Sequence, residues 1–385
     1  MEKFDIIIKT LFGFENLLAD ELKKLGVSDV LILNRAVKFQ GDQDLLYLCN
    51  LHLRTALKVL KPIRTFQINN EKQLYDSIRS IDWNSFITPD KSIAVDGFTN
   101  SSYFSHSKYI ALKTKDAIAD QFRDKFGTRP DVDIENPDLK INVHITGEEC
   151  SVSLDSSGAS LGKRGYKIKQ GQAPLSEVLA AGLLLLSEWD HKKPLMDPMC
   201  GSGTIPIEAA LMASHTPPGL FRDFSFQKWN DFNPLLWNKQ KEEAKNNITS
   251  VTCTIAASDI SSKTVEMAKF NAGIAKMADY INFSVKNFYE VEPVHSSGWL
   301  IMNPPYGKRL EEETLMVEFY KKIGNHLKHH LQGWEAWIFS GNLEAIKFIG
   351  LKPSRKISLF NGPLECKFHK FTLFTGNYNE RFENV

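Results

Sequence analysis

The clearest indication of the fold comes from Leu195–Ala210, which reads LMDPMCGSGTIPIEAA. A short apolar run ends at Asp197, and Gly201 and Gly203 precede a run that predicts a helix. Glycines in such a turn let the backbone approach a ligand closely, and the first turn of the following helix offers unpaired N–H groups. The dinucleotide fingerprint is incomplete, because Pro206 stands in place of its third glycine. The stretch predicts a cofactor-binding loop, and the alternative is a tight strand-to-helix turn without a ligand.

Around this loop, predicted helices and strands alternate from residue 173 to the C-terminus. Such alternation predicts an α/β fold with a doubly wound, Rossmann-like parallel sheet. The last two predicted strands have no helix between them, which indicates an antiparallel edge. The strand after the glycine loop ends at Asp259, and 55 residues lie between Gly203 and this carboxylate, where the usual spacing is about 20. We therefore expect the aromatic-rich segment between them to bulge out as an insertion.

The N-terminal part of the chain has two further α+β patterns. Residues 1–65 follow the order β-α-β-β-α-β of a ferredoxin-like unit. A second unit at residues 66–157 combines predicted helices with a hairpin whose turn falls at Gly147. Residues 158–172 are rich in glycine, serine and basic side chains, so we interpret them as a linker. The final predicted domain covers residues 173–385.

Polar side chains stand at the ends of successive predicted strands. In a doubly wound fold, an acid such as Asp259 hydrogen-bonds the ribose hydroxyls of an adenosine-containing cofactor. Asn287 ends the third strand, where an adenine ring needs a partner. A helix N-cap explains an aspartate at a strand end as well, and a turn explains the asparagine.

The fourth strand of the series runs into Asn303-Pro304-Pro305-Tyr306-Gly307. Two consecutive prolines fix two φ angles and remove two backbone donors, so the strand must stop in a rigid loop. An exocyclic amine of a nucleobase is a poor nucleophile, because its lone pair is conjugated with the ring. The side-chain carbonyl of Asn303 and the backbone carbonyl of Pro304 can accept its two N–H bonds, and Tyr306 can stack on a base that has left its helix. A rigid loop without chemistry is the alternative.

These motifs together resemble class I S-adenosylmethionine-dependent methyltransferases that act on exocyclic amines. The segments GKRGYK and APLSEVLAA, with the Pro-Pro-Gly-Leu insertion, resemble more narrowly the THUMP-domain RNA guanine-N2 methyltransferases of bacterial 23S rRNA, the RlmL group. This resemblance covers essentially the whole chain. It implies ferredoxin-like and THUMP domains before the catalytic domain, and no second methyltransferase domain in a chain of this length.

The resemblance also implies a role for each of the residues singled out above. S-adenosylmethionine would contact two groups of residues: the first loop (Asp197, Cys200, Gly201, Gly203 and Thr204) and the later strand ends (Asp259, Ile260, Asn287, Phe288 and Asn303). The target amine would be held at the catalytic motif, Asn303, Pro304, Pro305 and Tyr306.

Contacts with RNA have to be local, because the formal net charge is only +1. The linker carries basic side chains and one aromatic that could contact phosphates and a base: Lys163, Arg164, Tyr166, Lys167 and Lys169. The predicted helix around Lys108 could add to this surface. Solvated surface charge is the alternative for each of them. His326, His329 and His330 share one predicted helix without carboxylate or cysteine spacing, which favours an exposed basic helix over a metal site.

Composition bounds the remaining possibilities. Five scattered cysteines without a CxxC pair, and an N-terminus without a signal-peptide pattern, favour a cytoplasmic protein, and no apolar run could cross a membrane. No Pro-Cys dipeptide is present, which argues against cytosine-C5 transfer. Adenine-N6 transfer, a transfer RNA substrate and a non-catalytic ribosome-assembly factor remain alternatives, and the oligomeric state stays open.

Overall fold

The computed structural model describes residues 2–169, 175–307 and 313–374. The chain divides into two compact units. The first comprises Met1–Leu11, Leu18–Leu161 and Pro218–Ala244, and the second comprises Phe12–Leu17, Gly162–Pro217 and Lys245–Val385.

The first unit is built on one eight-stranded sheet. Its elements are β1 (Phe4–Thr10), α1 (Glu15–Lys24), β2 (Leu31–Leu33), β3 (Ala36–Gly41), α2 (Gln43–His52), β4 (Ala56–Gln67), α3 (Glu71–Arg79), β5 (Ser92–Asn100), α4 (Ser107–Phe126), β6 (Asp131–Val132), β7 (Leu139–Thr146) and β8 (Glu149–Asp155). The strand order is β2-β3-β1-β4-β8-β7-β5-β6. The predicted β-α-β-β-α-β order and the hairpin turn at Gly147 are both present.

The predicted boundary between residues 65 and 66 falls inside a strand. β4 runs on to Gln67 and pairs antiparallel with β1 through its first half and with β8 through its second. The ferredoxin-like and THUMP regions therefore share one continuous sheet in place of two separate ones. A sequence pattern cannot show this, because a long strand that is shared by two regions has the same pattern as a long strand that belongs to one region.

The second unit is a seven-stranded mixed sheet with helices. Its elements are α5 (Glu177–Leu186), β9 (Leu195–Asp197), α6 (Thr204–Ala213) and, after the insertion with its helix α7 (Pro234–Asn246), β10 (Ile255–Asp259), α8 (Ser262–Ile274), β11 (Ile281–Val285), β12 (Trp299–Met302), α9 (Glu313–His330), β13 (Glu335–Ser340), β14 (Arg355–Asn361) and β15 (Leu364–Thr372). The strand order is β11-β10-β9-β12-β13-β15-β14.

The first five strands of this sheet are parallel, whereas β15 runs antiparallel to both β13 and β14. The predicted Rossmann-like sheet with an antiparallel edge is thus confirmed. The chain moves outward in one direction from β9 to β11 and then returns to place β12 on the other side of β9. Ligands of such sheets bind at this switch point, outside the carboxyl ends of the strands.

The aromatic insertion does leave the α/β sheet, and its residues Pro218–Ala244 belong to the first unit. Phe226 is fully buried, and its ring stacks on that of Tyr47 from α2 with centroids 4.3 Å apart. Trp237 meets the same Phe226 ring edge-on at 5.2 Å. The prediction of one domain over residues 173–385 therefore differs from the structure, because this segment completes the core of the N-terminal unit.

Two general features bear on function. No helix in the described ranges is long and apolar enough to cross a membrane. All five cysteines are free thiols, and four of them are buried.

Candidate active site

The glycine loop after β9 is a tight turn with one open side. The N–H of Cys200 donates to the Ser258 carbonyl (2.9 Å), and that of Gly203 donates to the Cys200 carbonyl (2.8 Å). A Cβ at Gly203, where φ is +83°, would lie 3.0 Å from that of Ala268 on α8. At Gly201, φ is +53° and a Cβ would meet no atom within 4 Å among the described residues. The turn therefore needs both glycines for its conformation, and Gly201 leaves room for a ligand.

Asp259 fastens this loop to the neighbouring strand. Its carboxylate accepts from the N–H of Gly201 (3.2 Å) and from that of Ser261 (3.0 Å). The N-cap of α8 is Ser261, whose hydroxyl accepts from the Thr264 N–H, so capping does not account for Asp259. Ile260, next in the chain, is 69% exposed at the carboxyl edge of the sheet. The remaining lone pairs of the half-buried carboxylate suit the hydroxyls of a ribose.

Asp197 lies at the end of β9 and is 1% exposed. Its carboxylate accepts from the N–H of Met199 (3.2 Å). Burial, with a smaller contribution from the negative charge of Asp259, raises the pKa of Asp197 to about 8. Burial likewise raises the pKa of the neighbouring Cys200 thiol, so this side chain is an uncharged wall of the loop. Thr204, 4% exposed, opens α6.

Asn287 and Phe288 follow β11, and their side chains have structural partners. The Asn287 side chain accepts from the Tyr289 N–H (3.2 Å) and caps the 3₁₀ turn Phe288–Glu290. Phe288 is 4% exposed and packs in the core with β12 and α9. The expected contact of the Phe288 side chain with the cofactor is therefore wrong, because its ring is enclosed by core residues. The adenine contact of Asn287 stays a prediction.

The motif Asn303-Pro304-Pro305-Tyr306 begins directly after β12, beside β9 at the switch point. The Tyr306 hydroxyl donates to the side-chain carbonyl of Asn303 (2.6 Å). Burial, and then the Cys366 thiol, raise the pKa of this phenol, so it stays protonated as a donor. A carbonyl oxygen has two lone pairs, so one on Asn303 remains for a second donor. Tyr306 is only half-buried, and its stacking on a base stays a prediction.

A segment that the sequence analysis missed holds this motif in place. At the end of β13, the Asn342 amide donates to the backbone carbonyl of Tyr306 (2.7 Å), and its carbonyl accepts from the Ala345 N–H (2.8 Å). A Cβ at Gly341 would come within 3.0 Å of two ring carbons of Tyr306. The tripeptide SGN that starts at Ser340 was the available signal, but only the sheet order places it next to β12.

The predicted linker is largely part of the second unit, and two of its expected RNA contacts are wrong. Arg164 and Tyr166 are 6% and 4% exposed. The Tyr166 hydroxyl donates to Glu208 of α6 (3.0 Å), and Arg164 Nε lies 3.5 Å from the same carboxylate oxygen. Their polarity suggested a surface role, but they form a buried network instead. Lys167 is half-buried and donates to the Leu175 carbonyl. The linker residues 170–172 lie outside the described ranges.

Asn271 of α8 joins the end of this segment to the glycine loop. Its amide donates to the carbonyl oxygens of Lys169 (2.8 Å) and Ser202 (3.0 Å), and its own carbonyl accepts from the Lys169 N–H. The side chain is completely buried. Nothing in the sequence distinguished it from other helix asparagines.

The other predicted contacts have different outcomes. Lys108, Lys163 and Lys169 are exposed, so their contacts with RNA stay predictions. The exposed basic helix predicted for the histidines of α9 is wrong at His326, which is 6% exposed and lies with Nε2 3.0 Å from the Val291 carbonyl oxygen. Within the described ranges, no cluster of three or more His, Cys, Asp or Glu residues could hold a metal ion.

An open glycine turn between two carboxylates suits an adenosine cofactor with a cationic tail. A rigid amide loop lies one strand away, at the switch point of the same sheet. This arrangement is that of the class I S-adenosylmethionine-dependent methyltransferases, and the chain is an enzyme of that class that uses S-adenosylmethionine. The chain belongs, more closely, to the RMKL-like methyltransferases, whose methyltransferase domain matches residues 164–370. Residues 69–155 match the THUMP domain and residues 5–60 match the RlmL ferredoxin-like domain.

Individual relatives agree with this assignment. A Synechocystis protein named as an RNA methyltransferase is 40% identical over 364 residues, which cover 94% of this chain and 95% of that one. The ribosomal RNA large subunit methyltransferase K/L of Shewanella frigidimarina is 38% identical over 94% of this chain, and the match spans 52% of that longer protein. The crystal structure of SMU.472, a methyltransferase in complex with SAH, has a TM-score of 0.88 at 27% identity, covering 98% of this chain and 100% of that one.

Proposed function

We propose that this protein transfers a methyl group from S-adenosylmethionine to the exocyclic N2 amine of a guanine in RNA, and that the RNA is 23S rRNA. The observation that carries the proposal is the position of Asn303-Pro304 at the switch point, held by Tyr306 and Asn342. The THUMP domain and the names of the relatives support an RNA substrate. The unpaired cysteines agree with a cytoplasmic setting.

Each residue of the site has a distinct part in this proposal. Asp259 would hold the ribose, and Asp197 with the Gly201–Gly203 turn would hold the methionine part of the cofactor. When bound, the cofactor supplies an electrophilic methyl group on a positively charged sulfur. Asn303 and Pro304 would accept the two N–H bonds of the target amine, so that its lone pair is aimed at that methyl group.

The same motif also suits the N6 amine of adenine, and only the resemblance of the sequence to the THUMP-domain guanine-N2 methyltransferases favours guanine. Transfer RNA is the alternative substrate. A non-catalytic assembly factor is the alternative function. It would be expected to have lost the cofactor motif, whereas Asp197, Gly201 and Gly203 are all present here.

The substrate is tested with labelled S-adenosylmethionine and RNA from cells that lack the gene, separated into large-subunit rRNA and transfer RNA. We expect label in 23S rRNA, and none from the Asn303→Ala variant. Label only in transfer RNA would move the substrate while keeping the chemistry. No label in either fraction, from protein that still binds SAH, would favour the assembly-factor alternative.

A further inference from the structure

The first unit contains a cavity of about 280 Å³ that none of the active-site motifs touches. It lies between the β7–β8 hairpin, the 3₁₀ turn Trp83–Ser85 and the insertion. Ligand pockets usually measure about 300–1,000 Å³, so a cavity of this size suits a small group such as a single nucleobase.

The inner walls of the cavity are apolar and aromatic. Leu139 and Leu154, each 2% exposed, contribute the aliphatic side. Phe86, half-buried, and Trp229, 7% exposed, contribute aromatic rings. The indole N–H of Trp229 is buried and meets no acceptor among the described residues.

The remaining lining residues are polar. Lys61 Nζ lies 3.1 Å from the Asp231 carboxylate and 5.8 Å from the centre of the Trp229 ring. The Asn230 side-chain carbonyl lies 3.4 Å from Lys91 Nζ. The Asp231 carboxylate, the Asn230 amide and the Lys61 ammonium group thus line a cavity with aromatic walls, and Lys91 lies beside Asn230. A phosphate alone would gain nothing from the apolar walls, whereas a planar heterocycle uses both kinds of surface.

We propose that this cavity, the base pocket, binds an unpaired nucleobase of the RNA substrate at a nucleotide other than the one that is methylated. Single-stranded RNA is recognised by stacking of its bases on aromatic side chains, with hydrogen bonds to the base edges. The base would lie against Phe86 and Trp229, and Asp231 and Asn230 would bond its edge. Lys61 and Lys91 would contact the adjoining phosphates. The proposal rests on the proposed RNA substrate.

The test narrows the pocket without removing a core residue. Ser85 lines the cavity and is exposed, and Asn84 in the same turn is exposed but does not line it. Ser85→Tyr should therefore fill the pocket, and Asn84→Tyr is the matched control. Binding is measured by fluorescence anisotropy with labelled large-subunit rRNA fragments and with short homopolymers of adenosine, cytidine and uridine.

We expect Ser85→Tyr to weaken RNA binding by at least about fivefold, the low end of what one stacked base contributes, with Asn84→Tyr unchanged. Phe86→Leu, which keeps the apolar volume and removes the aromatic face, should weaken binding in the same direction and covers the case in which Ser85→Tyr fails to fold. Wild-type affinity in both pocket variants would overturn the proposal.

Methyl transfer by the wild-type protein separates this proposal from the proposed function. If the wild type methylates guanine and both pocket variants bind RNA normally, the base-pocket proposal alone would be wrong. If the pocket variants bind RNA more weakly than the wild type but the wild type transfers no methyl group, the proposed function alone would be wrong. A wild type that binds no RNA would remove both.

Discussion

The protonation state of Asp197 links the cofactor loop to pH. Its pKa is raised to about 8 by burial, so in the free protein this carboxyl is mostly protonated at neutral pH. A cationic ammonium group placed beside it favours the carboxylate, so binding should release a proton, and affinity should rise as pH increases from about 6 to 8. For folding the sign is opposite: the native protein holds this proton more tightly than the unfolded chain, so the contribution of Asp197 to stability falls as pH rises from about 4 to 8.

The binding effect can be measured with SAH, which keeps the ammonium group. Calorimetry at pH 7 in buffers of different ionisation enthalpy should report the release of close to one proton by the wild type. Asp197→Asn should bind SAH more weakly and release none. A wild type that binds SAH without releasing a proton would contradict the role given to Asp197.

Asn342 should affect turnover more than cofactor binding. Its amide donates to the Tyr306 carbonyl and its carbonyl accepts from the Ala345 N–H. Asn342→Asp keeps the second bond and replaces the first with repulsion between its carboxylate and the Tyr306 carbonyl oxygen, so it removes the support of the catalytic loop. We expect kcat to fall about tenfold or more, because small displacements of reacting groups cost large factors in rate, and the Kd for SAH to stay the same. An unchanged kcat in steady-state methyl transfer would show that the loop is rigid without this bond.

Single residues were predictable from the sequence where a motif follows a strand end. Asp197, Asp259 and Asn303 are at the carboxyl ends of parallel strands because strand ends are visible as a change from apolar to polar residues. The residues that support these side chains from other parts of the sequence were not predictable. Asn342 comes from a distant segment, and the burial of Arg164 and Tyr166 depends on Glu208, a carboxylate inside a helix that sequence alone reads as surface or core with equal ease.

At the scale of elements, α8 supports the glycine loop through Asn271. Two donated bonds and one accepted bond fix the Ser202 carbonyl to the chain at Lys169. Asn271→Ala should weaken SAH binding by about fivefold, because only its bond to the Ser202 carbonyl supports the glycine loop and one bond contributes roughly 1 kcal/mol, and it should leave the KM for RNA nearly unchanged. Lys269→Ala, at an exposed position of the same helix, is the control. Equal losses in KM for RNA and in SAH affinity would indicate general unfolding instead.

The existence and type of most elements followed from apolar periodicity, including the long helix α4 and the closing antiparallel strands. The sequence did not show that the segment after β13 forms a short 3₁₀ helix, Ala345–Ile349. It also did not show that β4 joins two regions into one sheet. Both features depend on residues that are distant in the sequence, because packing decides which strands pair and whether a short helix is 3₁₀ or α.

At the scale of the whole molecule, the insertion makes the N-terminal unit depend on a segment from the catalytic half of the sequence. Phe226→Ala should lower the free energy of unfolding of the first unit by about 3–5 kcal/mol, the usual loss for a fully buried aromatic ring. Phe221→Ala, in the same insertion but 54% exposed, should change it little. Urea unfolding monitored by fluorescence distinguishes the two. Equal stability of both variants would mean that the aromatic cluster is not a core.

The proposed function depends above all on which nitrogen is methylated. The most direct measurement is mass spectrometry of the nucleosides from 23S rRNA methylated in vitro by the wild type and by Asn303→Ala. We expect N2-methylguanosine from the wild type and none from the variant. N6-methyladenosine as the product, or N2-methylguanosine formed equally well without the Asn303 side chain, would contradict it.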